Sequence, residues 1–140
     1  MGELLYSGSY HVTKNNYAAA GEVSANIKQI LKKIGIPADI IRRISIAAYE
    51  AELNMVIHSF GGDITLLISP ERVTIYCKDT GPGIADISLA MKEGYSTASE
   101  DVRMMGFGAG MGLPNINRNS DDFHITSDKN GTELTMKFNM

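Results

Sequence analysis

Ile64-Thr-Leu-Leu-Ile-Ser69, then Pro70-Glu71, then Val73-Thr-Ile-Tyr-Cys-Lys78 running into Asp79-Thr-Gly-Pro-Gly83: this stretch decides the fold. The two apolar runs, 64–69 and 73–78, have strand composition, and Pro70-Glu71 is their turn. A second such pair lies at 123–127 and 132–138, joined by Asn130-Gly131 as a hairpin turn. Residues 3–13, rich in Tyr and Val, read as an edge strand interrupted by Gly8. Hairpins of this kind predict a largely antiparallel sheet.

Helical patterns fill the intervals. Over 17–34, Ala20, Val23, Ile27, Ile30 and Leu31 recur at helical spacing, with Asn15 or Asn16 as the expected cap and Gly35 as the stop. Pro37 opens a second helix over 37–59. Its apolar residues cover much of its girth, so it is expected to be buried on more than one side. Gly61-Gly62-Asp63 is read as the turn that ends it. A short helix is expected over 86–93, a loop over 94–109 and a helix over 110–119. The expected fold class is α+β: a two-layer sandwich with three helices covering one face of the sheet.

Three clusters carry chemistry. Glu50, Asn54 and His58 are four residues apart, so on a helix they form one stripe. Burying a carboxylate, an amide and an imidazole is costly unless they find partners. A ligand would be such a partner; a stripe facing solvent is the competing explanation. In a nucleotide site, Asn54 offers an amide oxygen to Mg2+ and Glu50 can deprotonate a water or hydroxyl. His58 either meets a phosphate or caps the helix end.

Asp79 stands at a strand end ahead of Gly81 and Gly83. An aspartate accepts hydrogen bonds, and adenine presents its 6-amino group as a donor. The glycines let the backbone turn sharply and approach a flat ring. An ordinary Asp-Gly turn is the plainer alternative. Further on, Gly106, Gly108, Gly110 and Gly112 alternate ahead of the last predicted helix. Exposed N–H groups followed by a helix N-terminus suit a triphosphate. The spacing is neither a dinucleotide fingerprint nor a P-loop. Met104, Met105, Phe107 and Met111 among the glycines argue for packing rather than a linker. Hydroxyls of the 94–99 segment, Thr97 among them, could reach a γ-phosphate on loop closure. Arg103 or Lys92 would add charge there, or simply be solvated.

Composition narrows the classes. The chain has 140 residues, 44% of them apolar, with a net charge of −3. This size predicts one domain with its own core. The charge and the lack of a basic run argue against nucleic-acid binding. The pairs Lys32-Lys33 and Arg42-Arg43 are expected on solvated helix faces. Cys77 is the only cysteine, expected as a buried thiol in a reducing compartment. No signal-peptide pattern and no membrane-length apolar run are seen, so the expected setting is cytoplasmic, without a membrane partner.

Taken together, the clusters resemble a known family. Glu50-Ala-Glu-Leu-Asn54-Met-Val-Ile-His58 resembles the N box of the GHKL (histidine-kinase-like) ATPases. Asp79-Thr-Gly-Pro-Gly83-Ile84 resembles their first glycine box, and Gly106-Phe-Gly-Ala-Gly-Met-Gly-Leu113 their second. Order and separations fit from about residue 40 to the C-terminus. The short length and the N box ending in His58 resemble the anti-sigma regulatory factors and serine/threonine kinases of this superfamily. The resemblance implies a Bergerat-type fold, a single ATP-binding domain over 1–140, and ATP with Mg2+ as cofactors.

The resemblance implies Glu50 as base, Asn54 as Mg2+ ligand and Asp79 as the adenine-reading acid. It carries nucleotide contacts to His58, Gly81, Gly83, Ile84, Thr97, Gly106, Gly108, Ala109, Gly110, Met111, Gly112 and Thr132. The implied activity is phosphorylation of a STAS-domain anti-anti-sigma partner. A sigma factor and a homodimer are further partners it allows. The glycine-dense second box resembles the switch-kinase branch more than the sigma-sequestering branch. The alternative is a nucleotide-gated binding module that controls a sigma factor or other regulator without phosphoryl transfer. A histidine-kinase catalytic fragment fits less well, because no dimerisation helix pair with a phosphoacceptor His is present.

Overall fold

A computed structural model describes residues 4–83, 91 and 112–140. Its elements in chain order are β1 (Tyr6–Thr13), α1 (Glu22–Ile34), α2 (Ala38–His58), β2 (Gly61–Ile68), β3 (Arg72–Asp79), α3 (Gly112–Asn119), β4 (Asp122–Asp128) and β5 (Gly131–Asn139). The strands form one antiparallel sheet in the order β1-β2-β3-β5-β4. The predicted α+β sandwich is the observed architecture.

Strand periodicity explains the two layers. Ile64, Leu66 and Ile68 of β2 are buried with Val73, Ile75 and Cys77 of β3 and Leu134, Met136 and Phe138 of β5. Alternate residues point the other way and carry a polar row: His11, Asp63, Lys78 and Glu133 stand side by side in register. The His11 Nδ1–Asp63 Oδ1 contact at 3.3 Å and the Lys78–Glu133 ion pair lie along that row. The helices close the apolar face. Val23, Ile27 and Leu31 of α1 are buried, and α2 buries Ile41, Ile44, Ala47, Ala48, Ala51, Leu53, Met55 and Val56. The expectation that α2 is covered on more than one side holds, since it packs on α1, on α3 and on the sheet.

Several local expectations are corrected. Gly8 does not interrupt β1; it pairs with Leu66 within a continuous ladder. Gly61 and Gly62 do not form a turn but open β2. A side chain on Gly62 would run into the Lys78 carbonyl and the Met55 methyl, so a strand passing under α2 needs glycine there. The hairpin turn between β4 and β5 is Lys129-Asn130, with Gly131 already paired to Asp128. Asp128 accepts the Asn130 N–H at 2.7 Å and stabilises this turn.

The largest difference concerns the start of α1. Residues Tyr17–Ala19 form a 3-10 turn, and the α-helix begins at Glu22 after Gly21 in the left-handed region. Asn15 has positive φ, and Asn16 makes no side-chain cap bond. The cap comes from α2 instead. Glu52, 2% exposed, accepts the N–H groups of Gly21 (2.9 Å), Val23 (3.2 Å) and Ser24 (2.9 Å). A buried carboxylate thus satisfies helix-terminal donors that would otherwise be orphaned. Arg43 also departs from the expected solvated face. Its guanidinium donates to the Asn119 carbonyl at 3.1 Å and to Asp121 at 3.0 Å, tying α2 to the end of α3. Lys32, Lys33 and Arg42 are exposed as expected.

The predicted helix over 86–93 and loop over 94–109 fall outside the described residues, apart from Met91, which packs on the core. Cys77 is a buried thiol whose pKa is pushed up to about 12, by burial first and then by the charges of Asp79 and Glu52. Among the described residues, no helix is long and apolar enough to cross a membrane.

Candidate nucleotide site

Helix geometry sorts the two N-box carboxylates. Residues two apart are about 200° apart around a helix. Glu52 therefore faces α1, while Glu50, Asn54 and His58 lie along another side of α2, all half-buried. The stripe is neither core nor open surface, as polar groups at the wall of a cleft should be. Glu50 to His58 spans roughly 12 Å along the axis.

The two ends of the stripe meet different elements. At one end, the side chain of Asn115 on α3 lies beside Glu50. Burial raises the pKa of Glu50, and the Asn115 side chain opposes that rise. Since Arg43 meets Asn119 and Glu50 meets Asn115, α3 runs antiparallel to α2. The N-terminal end of α3, at Gly112, is accordingly directed toward the Asn54 half of the stripe. At the other end, burial lowers the pKa of His58, which favours the neutral imidazole. The chain leaves α2 through Ser59, whose hydroxyl donates to the Met55 carbonyl at 2.6 Å and accepts the Gly61 N–H.

The first glycine box is stitched to both neighbours of β3. Phe60 N–H donates to the Thr80 carbonyl at 2.7 Å, and Thr80 N–H to the Gly61 carbonyl at 3.1 Å, which holds the box against the exit of α2. On the other side, Gly81 N–H donates to the Asn130 carbonyl at 3.2 Å. Gly83 has φ +77°, and a Cβ there would overlap the Asp128 carbonyl. Glycine is required at that position both for its backbone angle and for the close approach of the β4–β5 hairpin.

Asp79 is the last residue of β3 and is half-buried. The Thr132 N–H donates to its Oδ1 at 3.0 Å. Burial raises the Asp79 pKa, and the Thr132 hydrogen bond opposes the rise. Thr132 itself is buried, with its hydroxyl 2.7 Å from that of Ser127. One carboxylate oxygen is thus committed to the protein, which fixes the orientation of the other. A fixed, partly desolvated acceptor suits recognition of an amino group.

Of the residues named from the sequence, the structure places Glu50, Asn54 and His58 on one strip of α2. Asp79, Gly81, Gly83 and Thr132 gather around the end of β3, and Gly112 opens α3. Ile84, Thr97, Gly106, Gly108, Ala109, Gly110 and Met111 lie outside the described residues. Sequence reasoning missed Asn115 and Glu52. Asn115 follows the last glycine by three residues, one helical turn, which is the only signal it carries. Glu52 could have been found by its angle on the helix.

The donor set also bears on the metal. Among the described residues, no group of three His, Cys, Asp or Glu side chains could hold a metal ion. Asn54 and Glu50 supply hard oxygen atoms, which fits Mg2+ arriving with a nucleotide and keeping phosphate and water ligands.

The chain belongs to the histidine kinase-like ATPase domain family, whose model matches residues 13–138. It is 30% identical over 128 residues to the serine/threonine-protein kinase RsbT of Bacillus subtilis, covering 88% of each chain. It is 31% identical over 104 residues to the anti-sigma F factor of Clostridium novyi, covering 69% of each. The crystal structure of the RsbU and RsbW domains of Rv1364c from Mycobacterium tuberculosis shares the fold, with a TM-score of 0.61 at 19% identity. That match covers 94% of this chain and 31% of the larger one.

Proposed function

We propose that this protein is an ATP- and Mg2+-dependent serine/threonine protein kinase of the anti-sigma regulatory type, acting on a STAS-domain partner. The observation that carries the reading is Asp79, half-buried, held by the Thr132 N–H, and seated in a glycine box stitched to the exit of the helix that bears Glu50 and Asn54. Similarity to RsbT over most of both chains supports the kinase assignment.

In this reading Asp79 accepts the adenine amino group, with Gly81 and Gly83 leaving room for the ring. Asn54 would hold Mg2+, which supplies charge neutralisation on the phosphates when bound. The second glycine box, Gly106 to Gly112, and the N-terminus of α3 receive the phosphates. Glu50 takes the proton of the partner's hydroxyl as its oxygen attacks the γ-phosphorus and the bond to the β-phosphate breaks. Burial makes Glu50 a stronger base, and Asn115 favours its ionised form.

The test is transfer of label from radiolabelled ATP to a serine or threonine of a purified STAS-domain protein from the same genome. Wild type should transfer, and Glu50→Gln should bind ATP without transfer. Calorimetry with Mg2+ showing no uptake of ATP or ADP at millimolar nucleotide would overturn the reading. Similarity to proteins named anti-sigma F factor favours a second reading, a nucleotide-gated module that grips a sigma factor. Tight ATP binding without transfer, together with nucleotide-dependent capture of a sigma factor, would select it.

A further inference from the structure

Positive charge is segregated along this chain. Residues 24–49 hold five cations (Lys28, Lys32, Lys33, Arg42 and Arg43) against one acid, Asp39, which makes +4. The whole chain is −3, so everything outside that stretch sums to −7. The fold gathers these cations. Helix α1 begins against Glu52 of α2, and residues 35–37 join its end to the start of α2, so the two helices run antiparallel. The last turns of α1 and the first turns of α2 therefore share one end of the molecule.

Arg43 is already engaged with Asn119 and Asp121. The other four cations are exposed, and among the described residues none of their side chains is in an ion pair. Lys28 and Lys32 are four apart and fall on one stripe of α1, with Lys33 next to it. Like charges at that spacing destabilise a helix slightly. Glu22 is at the opposite end of α1, which leaves Asp39, in the first turn of α2, as the acid nearest the cluster on these two helices. Nothing inside the domain uses this charge.

We propose that the outer face of the second half of α1, together with Arg42, docks an acidic surface of a protein partner. That the partner is the STAS-domain substrate rests on the kinase reading; the charge of the face does not. A bilayer fits the face poorly, because an interfacial helix inserts apolar residues beside its cations. Those of α1, Val23, Ile27 and Leu31, are buried in the core, leaving Ile34, 36% exposed, at its end. A nucleic acid would meet a chain that is acidic elsewhere. An acidic protein surface needs neither insertion nor a basic chain. Arg42 precedes Glu50 by eight residues, about 12 Å along α2, while a small domain is roughly 30 Å across. A partner seated on this face therefore reaches the candidate base. Exposed charges of this kind act mainly on association rate and on choice of partner.

The experiment has two arms, both on the full chain. In the first, nitrogen-15 NMR follows titration with a glutamate-rich peptide at low salt. Amide shifts should concentrate at residues 28–34 and 40–43, fade at high salt, and be lost in the triple variant Lys28→Glu, Lys32→Glu, Lys33→Glu. The triple glutamine variant, which removes charge without reversing it, should fall between the two. Absent shifts, shifts centred elsewhere, or a map unchanged by both variants would overturn the inference. In the second arm, stopped flow measures association with the purified STAS-domain protein. Reversal should slow association about tenfold at low salt, with the difference closing at high salt and ATP affinity unchanged. Association as fast in the reversed variant as in wild type would overturn the inference. So would charge-dependent retention on phosphatidylserine vesicles with STAS association unaffected, which would assign the face to lipid. A wild type that takes the peptide on this face, yet neither binds nor phosphorylates the STAS-domain protein, would count against the kinase reading alone.

Discussion

Glu52→Gln should destabilise the protein by about 2–4 kcal/mol, although it changes one atom on a residue outside the candidate nucleotide site. Glu52 is buried and receives three N–H groups at the start of α1, two on Oε2 and one on Oε1. A hydrogen bond to a charged group contributes about 1.5–3 kcal/mol net. Glutamine keeps one oxygen, which can serve at most the Gly21 and Val23 pair. Its NH2 then faces the Ser24 N–H, donor against donor, and leaves that group unsatisfied at about 1–3 kcal/mol. Loss of the negative charge at a helix N-terminus adds up to ~2 kcal/mol in a buried setting. Part of this overlaps with the hydrogen-bond term, which keeps the sum in the stated range. Removing the side chain in Glu52→Ala should cost about 3–5 kcal/mol, as for breaking a buried charged network. Urea unfolding followed by circular dichroism reads the change, and thermal unfolding should show a fall of about 10 °C for Glu52→Gln. Amide hydrogen exchange gives the local signature: Gly21, Val23 and Ser24 should lose protection more than the centre of α2. A loss below about 0.5 kcal/mol, the size of an ordinary surface substitution, with those three amides still protected, would refute the reasoning.

Asp79→Asn should abolish ATP binding by calorimetry while leaving stability equal or higher. The Asp79 pKa is raised in the folded state, so its ionisation opposes folding; the stability it contributes is present at low pH and lost as pH rises through the folded pKa. A clear fall in melting temperature at neutral pH would contradict that sign. Phosphoryl transfer should rise with pH along an acid limb lying above the usual glutamate range, because burial raises Glu50; a limb at the ordinary position would show that Glu50 is not the base read in the profile. Gly83→Ala should lower stability by at least about 1 kcal/mol from its positive φ, with more from overlap with Asp128, and weaken nucleotide binding together. An Ala variant as stable as wild type in urea would mean that the hairpin does not approach as closely as described. Arg43→Ala should cost about 1 kcal/mol, since it removes a part-exposed ion pair and a bond to the Asn119 carbonyl; denaturant titration checks it.

Much was legible from the chain alone because its signals are local. Strand runs at 64–69 and 73–78 and the four-residue spacing of Glu50, Asn54 and His58 depend only on backbone periodicity, and the antiparallel sheet followed from them. What failed locally failed at glycines and at a cap. Gly8, Gly61 and Gly62 read as breaks, yet each is held in a ladder by neighbouring strands, and at Gly62 the nearness of α2 leaves no room for a side chain. The cap of α1 was sought next to it in sequence and is provided by a residue about thirty positions away.

The sequence by itself determined which chemistry is on offer: an acid before a glycine turn, a polar helical stripe, a glycine-dense segment, and the two-layer fold to carry them. Only the tertiary structure decided what each carboxylate of α2 meets. Glu50 and Glu52 are the same residue type two positions apart, and the partner each one meets is not written beside it in the chain. Their roles diverge because a helix turns about 200° over two residues, so one meets the amides of α1 and the other meets Asn115. Partner choice of this kind is a property of how helices pack, and packing is set by contacts far apart in the chain.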